Sequence, residues 1–287
     1  LRPLVLHESF PEDFHPLRKS VAVNAKVRGE RKFKIRTAKG QGLFQVPVGP
    51  IHAGIIEPGH FRFSQAGEAM LQLDAKLFFT HRGIEKAVEG KTPEEALHIV
   101  ERICGACSVA NTWSFCQAVE KTAGVAVPRR AEIIRTLLSE LERITNHVGD
   151  LGNMPAGVGF NPAISLGSRL KEQLMRLCEA VAGNRFLRGV IVPGGVRQDI
   201  TPELIEHIHE VMDATAQGVE DLAAMFREQE NFQNRVRTTG IIRNQTAKDL
   251  AMVGIGARAS GYAHDSRKDF AYGVYPELGF EPYTMTM

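Results

Sequence analysis

The chain has 287 residues, 43% hydrophobic and 24% charged, the balance of an ordinary globular protein rather than a disordered or fibrous one. Its 35 basic and 33 acidic side chains leave a net charge of +2, and the basic residues are spread along the chain, so no nucleic acid partner is expected. Four cysteines are too few for a secreted disulfide framework, which points to a reducing compartment, and no apolar run approaches the roughly 18–20 residues of a membrane span.

The chain opens on Leu1 rather than Met and reads as a fragment or processed piece. No signal peptide is expected, because Glu8, Glu12 and Asp13 interrupt the first apolar stretch. Residues 1–45 mix charges and prolines without a period and read as a linker. Residues 46–80 read as β-rich: Val46 to His52 is punctuated by Pro and Gly, and Gly59 to Phe63 alternates. From Thr92 the period becomes helical. Thr92-Pro93-Glu94-Glu95 is a capping box, followed by an apolar face of Ala96, Leu97, Val100 and Ile103. A second helix is expected from Val109 to Ala123, stopped by Gly124. The clearest helix runs from Pro128 to Leu151, with Ile133, Ile134, Leu137, Leu138, Leu141, Ile144, Val148 and Leu151 on one stripe. Further helices are expected over 165–182, from Thr201-Pro202 through Phe226, and over Thr246 to Ile255. The fold class is therefore mainly α: a bundle of long helices with a small β-containing N-terminal region.

Cys104 and Cys107 form a C-x-x-C step, with Gly105 between them freeing the backbone to turn both thiols one way. Such a pair suits a soft metal or a small disulfide, and it is half of a site that takes about four donors. No βαβ context supports a thioredoxin-like reading. The bland alternative is two small residues at a helix end. Cys116 and Cys178 sit on apolar helix faces and read as core. Glu57 lies among apolar, Pro and Gly residues; it is a proton carrier if buried, or an exposed turn carboxylate. His52 and His60 are ligands, proton carriers or loop histidines. His81 to Lys86, Val192 to Asp199 and Arg258 to Gly261 are each a binding loop or a structural turn. There is no G-x-G-x-x-G after a strand, no P-loop and no G-x-S-x-G.

Several of these segments, in order, resemble a known family. They are Gly49-Pro50-Ile51-His52, Glu57-Pro58-Gly59-His60-Phe61, His81-Arg82-Gly83-Ile84-Glu85-Lys86 and Arg102-Ile103-Cys104-Gly105-Ala106-Cys107. Val127 to Arg135, Glu142-Arg143-Ile144-Thr145-Asn146-His147, Pro193 to Asp199 and Arg258-Ala259-Ser260-Gly261 complete the set. From about residue 46 onward the chain resembles the large-subunit superfamily shared by [NiFe] hydrogenases and the 49 kDa subunit of respiratory complex I. Within it, the retained cysteine pair resembles the membrane-associated, formate hydrogenlyase-type hydrogenases. Residues 1–45 resemble the tail of a complex I 30 kDa-like domain, and 46–287 the helical large-subunit domain without its C-terminal segment.

The resemblance implies roles. Cys104 would be a terminal Ni ligand and Cys107 a bridge between Ni and Fe, with Glu57 as proton relay and Arg102 as support behind the ligands. The implied chemistry is reversible H2 oxidation and proton reduction. A Ni–Fe centre is expected in the full-length protein; the family's second C-x-x-C is absent from this stretch, so either it lies past Met287 or the chain is a divergent relative with an incomplete site. Asn111 stands where the family carries His, and the loop Pro155 to Phe160 lacks the Asp expected near Gly157. Implied partners are an iron–sulfur small subunit and membrane subunits of a complex, peripheral on the cytoplasmic face of the cell membrane. The alternatives are a complex I 49 kDa-like subunit linked to NADH and quinone chemistry without hydrogenase activity, and a non-catalytic structural subunit of a membrane complex.

Overall fold

Hairpin and helix signals along the chain sort into two separate units, one ending at Arg82 and the other beginning at Gly83. The computed structural model describes residues 35–51, 57–77 and 79–285. Most of the expected 1–45 segment, and His52, lie outside the described residues.

The first unit is a three-stranded antiparallel sheet, β1 (Leu43–Val48), β2 (His60–Ala66) and β3 (Ala69–Lys76), in the order β1-β2-β3. Val46 pairs with Phe63, and Phe63 with Leu73. β2 and β3 are joined by a two-residue turn in which Gly67 takes φ 61, a value open to glycine. A bulge at Ser64/Gln65 shifts the register. Ser64, buried at this bulge, accepts the Ala38 amide at 3.3 Å.

The second unit is helical: α1 (Ile84–Val88), α2 (Pro93–Val100), α3 (Ser108–Ala123), α4 (Arg129–Asn153), α5 (Asn161–Ala182), α6 (Pro202–Glu228), α7 (Glu230–Val236), α8 (Asn244–Asp249), α9 (Gly254–Ala259) and α10 (Ser266–Asp269). A short hairpin, β4 (Ile191–Val192) and β5 (Gly195–Val196), separates α5 from α6. The mainly α expectation holds. α2 starts at the expected box, with Thr92 Oγ1 accepting the Glu95 amide and Glu95 accepting the Thr92 amide.

α4 packs on α5, and α5 on α6. Gly152 and Gly167 make the first of these contacts: a Cβ on Gly167 would lie 2.2 Å from Gly152 Cα, so only glycine allows the helices this close. Ile134, Leu138, Leu141 and Val148 of the expected α4 stripe are buried, whereas Ile133 is 41% exposed, at the rim of the stripe. The main core joins Trp113 and Cys116 of α3 to Leu138 of α4 and Leu177 and Cys178 of α5. The two core cysteines behave as small hydrophobic residues, as read from sequence. The single helix expected over Thr246 to Ile255 is two, α8 and α9; the chain reverses at Ala251 (φ 48) and Gly254 (φ 70), which no continuous helix tolerates.

One buried ion pair ties the middle of this unit together. Arg135 on α4, fully buried, forms a two-pronged pair with Glu120 on α3, at 2.6 and 3.1 Å. It also donates to the carbonyls of Val192 (2.7 Å) and Gly195 (2.9 Å), while Glu120 accepts the Gly194 amide at 2.7 Å. The Val192 to Asp199 segment is thus a structural turn locked to α3 and α4, with Gly194 at φ 83.

Candidate metal-ligand turn at Cys104 and Cys107

α2 ends after Val100, and the turn from Glu101 to Cys107 carries both thiols to the start of α3. The turn is fixed from behind. Glu101 is buried and accepts the Gly189 amide at 2.6 Å, and Arg188 Nε donates to Ser108 Oγ at 3.1 Å. Arg102 donates to the His98 carbonyl at 2.6 Å and to Glu101 at 3.4 Å, bracing the last turn of α2.

Cys107 occupies the N-cap of α3 and gives the helix no side-chain cap. Glu142, reaching across from α4, supplies it: its carboxylate accepts the amides of Val109 at 2.6 Å and Ala110 at 3.0 Å. One helical turn along, Asn146 donates to the Ala106 carbonyl at 2.6 Å. Asn111, one turn into α3, donates to the Cys107 carbonyl at 2.7 Å and to its sulfur at 3.5 Å. The amide therefore furnishes an N–H for this sulfur.

Ala106 N–H donates to Cys104 Sγ at 3.4 Å. Burial pushes the Cys104 thiol up, but the bonds from Cys107 and from the Ala106 and Cys107 amides outweigh it and hold the thiol below its ordinary value. Burial, the bond to Cys104 and the charge of Cys104 drive Cys107 to about 12. The first proton leaves the pair more readily than the second. Burial raises Glu142 above the usual carboxylate range, against the two amide bonds that lower it. Cys116 is raised to about 12, mainly by burial, as suits an inert core thiol.

In the first unit, the Glu57 side chain is 64% exposed and paired with Arg82 at 3.1 Å. His60 Nδ1 lies 3.4 Å from the Gly49 carbonyl, and the loop closes through Gly59 N–H on the Pro50 carbonyl at 3.0 Å. The motif residues near the C-terminus gather elsewhere in the second unit. Arg258 and Arg267 both bond Asp265, at 2.9 and 2.8 Å, beside a small cavity of about 110 Å³ reached by Arg143 and His147 of α4. Glu140 joins Arg267 (3.2 Å), Arg143 (3.2 Å) and the Tyr275 hydroxyl (2.5 Å) into the same network.

Two thiolates suit a soft metal. Among the described residues no third His, Cys, Asp or Glu joins them to make a metal-holding group. The described residues thus supply half of a donor set that takes about four.

Comparison with known families places this turn. Residues 82–150 match the nickel-dependent hydrogenase family, and residues 158–287 match the 49 kDa subunit of respiratory-chain NADH dehydrogenase. The two stretches together span nearly all of residues 82–287. It is 33% identical over 240 residues to the membrane-bound hydrogenase subunit alpha of Pyrococcus furiosus, covering 84% of this chain and 56% of that one. It is 31% identical over 290 residues to formate hydrogenlyase subunit 5 of Escherichia coli, covering 99% and 51%. A chain in the solved structure of a membrane-bound sulfane sulfur reductase, an archaeal respiratory membrane complex, superposes with a TM-score of 0.77 at 26% identity, over 85% of this chain and 66% of that one. The chain thus spans about half the length of the two hydrogenase relatives. Among the described residues no helix is long and apolar enough to cross a membrane.

Sequence reasoning named the thiols and Arg102 but gave no role to Glu142 and Asn146. Both stood in the quoted Glu142 to His147 motif, four residues apart on one helix face.

Proposed function

We propose that this chain is part of the catalytic large subunit of a [NiFe] hydrogenase, catalysing reversible H2 oxidation and proton reduction. The observation that carries the reading is the Cys104–Cys107 pair, presented by a braced turn inside the stretch that matches nickel-dependent hydrogenases. Cys104 and Cys107 would hold one side of the Ni–Fe centre, which when bound supplies H2 activation. Arg102 braces the turn from the end of α2. By the resemblance Glu57 would move the proton; its side chain is 64% exposed and paired with Arg82, which matches the exposed turn carboxylate of the sequence reading rather than a buried carrier. Electrons would pass to an iron–sulfur partner subunit, within a complex docked on the cytoplasmic face of a membrane. Residues 1–45 would belong to a preceding 30 kDa-like domain, and 46–287 to the large-subunit domain.

The test is H2–proton exchange by the full-length protein in its complex. Cys104→Ser and Cys107→Ser should abolish exchange, and Glu57→Gln should suppress it. Unchanged exchange in Glu57→Gln would remove the relay role, and unchanged exchange in the cysteine variants would remove the site. The match of residues 158–287 to the 49 kDa subunit supports a second reading, a quinone-linked subunit without hydrogenase activity. It predicts electron transfer to a quinone by the complex with no exchange at all.

A further inference from the structure

A ligand at a helix N-cap creates a conflict. Helices favour Ser, Thr, Asp or Asn there because those side chains satisfy the first free amides. Cys107 cannot both cap α3 and offer its sulfur to a metal, and it makes no side-chain cap bond. The cap comes instead from another helix, through Glu142 on the amides of Val109 and Ala110 at 2.6 and 3.0 Å. Asn146, on the same face of α4, holds the Ala106 carbonyl at 2.6 Å and is itself steadied by a bond to the Glu142 carbonyl at 2.9 Å. The tethers grip main-chain groups on both sides of Cys107 and leave both sulfurs clear. α4 is a firm support, since Leu138, Leu141 and Val148 are all at most 3% exposed.

We propose that Glu142 and Asn146 are positioning residues that set Cys104 and Cys107 at dithiol spacing before any metal arrives. The inference rests on reading the two cysteines as metal ligands. Without the tethers the Cys107 end of the Gly105-containing turn loses its hold on α4, and a bidentate ligand must then reorder that end on binding.

Phenylarsine oxide tests this without activity, because it bonds two neighbouring thiols through one arsenic and releases water. Titrated into the metal-free full-length chain with any C-x-x-C past Met287 replaced by serines, it should bind the Cys104–Cys107 pair tightly and the added Cys104→Ser variant weakly, through one sulfur. The core thiols Cys116 and Cys178 are 0% and 2% exposed and stay out of reach. Glu142→Ala should weaken binding by about tenfold or more, the loss expected when a charged tether is cut, and Asn146→Ala, a neutral tether, by about two- to tenfold. Glu142→Gln, which keeps one acceptor, should fall between. Phe232→Ala, which removes a buried ring stacked on Phe226 away from α4, should destabilise the fold without changing arsenical affinity. Unchanged affinity in folded Glu142→Ala and Asn146→Ala would overturn the proposal; if Glu142→Ala does not fold, Glu142→Gln and Asn146→Ala decide it. Metal content of the wild-type full-length protein judges the ligand reading separately, since a metal-free protein sinks that reading whatever the arsenical shows.

Discussion

Arg135 has no exposed surface, and its guanidinium serves Glu120 and the carbonyls of Val192 and Gly195 at once. Replacing it by Met keeps most of the volume, so the effect reports electrostatics rather than a cavity. Glu120 is left 6% exposed with the Gly194 amide, at 2.7 Å, as its remaining described partner. Removing one member of a buried pair costs about 3–5 kcal/mol. For a folded unit of roughly 150–250 residues each kcal/mol lowers the melting temperature by about 2–4 °C, so Arg135→Met should lower it by about 6–20 °C. The double variant Arg135→Met/Glu120→Leu should recover part of this, because no charge is then stranded. Differential scanning calorimetry with urea unfolding measures both. A fall of less than about 3 °C in the single variant, or strict additivity in the double, would show that the pair does not hold α3, α4 and the β4–β5 hairpin together.

Three other outcomes follow from the geometry. Gly167→Ala should force α4 and α5 apart and cost about 1–3 kcal/mol, as overpacking does, whereas an unchanged urea midpoint would refute the close approach at Gly152. Arg267 bonds Asp265 and holds its carboxyl at about 2, below its ordinary 3.8; because the folded value is the lower one, the stability it adds is full above about pH 4 and disappears as pH falls toward 2. Wild type should therefore exceed Asp265→Asn by about 2 kcal/mol at pH 5 and converge with it near pH 2, and a constant gap would contradict the assignment. In the native metal-free chain, mass spectrometry after iodoacetamide should find Cys104 modified before Cys107, with Cys116 and Cys178 untouched. Equal rates for the pair, or native modification of the core thiols, would refute the proton distribution.

Much of the helical unit was legible because its signals are local. The Thr92 box starts α2, and Gly124 at φ 66 stops α3 where a left-handed cap was expected. The α4 stripe gave the helix to within two residues at its end. What was not legible depends on contacts distant in sequence. Sequence alone offered two equal readings for Pro193-Gly194-Gly195, and only Arg135 and Glu120, about 60 to 75 residues away, decide for a structural turn. α1 escaped notice because five residues carry too little period to read; β3 fell within the expected β-rich 46–80 stretch, but its bounds were not read because Met70, Leu71 and Leu73 are exposed and break the inside–outside alternation. The thiol pair was the plainest feature of the sequence. Its tethers were hidden, since Glu142 and Asn146 on a polar helix face read as solvated until the fold sets them against α3.

The account turns on whether Cys104 and Cys107 hold metal in the whole protein. Elemental analysis of the purified full-length subunit in its complex, beside Cys107→Ser, addresses this directly. The account predicts Ni and Fe near one each per subunit in the wild type, with nickel lost in the variant. A correctly assembled full-length subunit free of nickel, or one that keeps its nickel in Cys107→Ser, would contradict it.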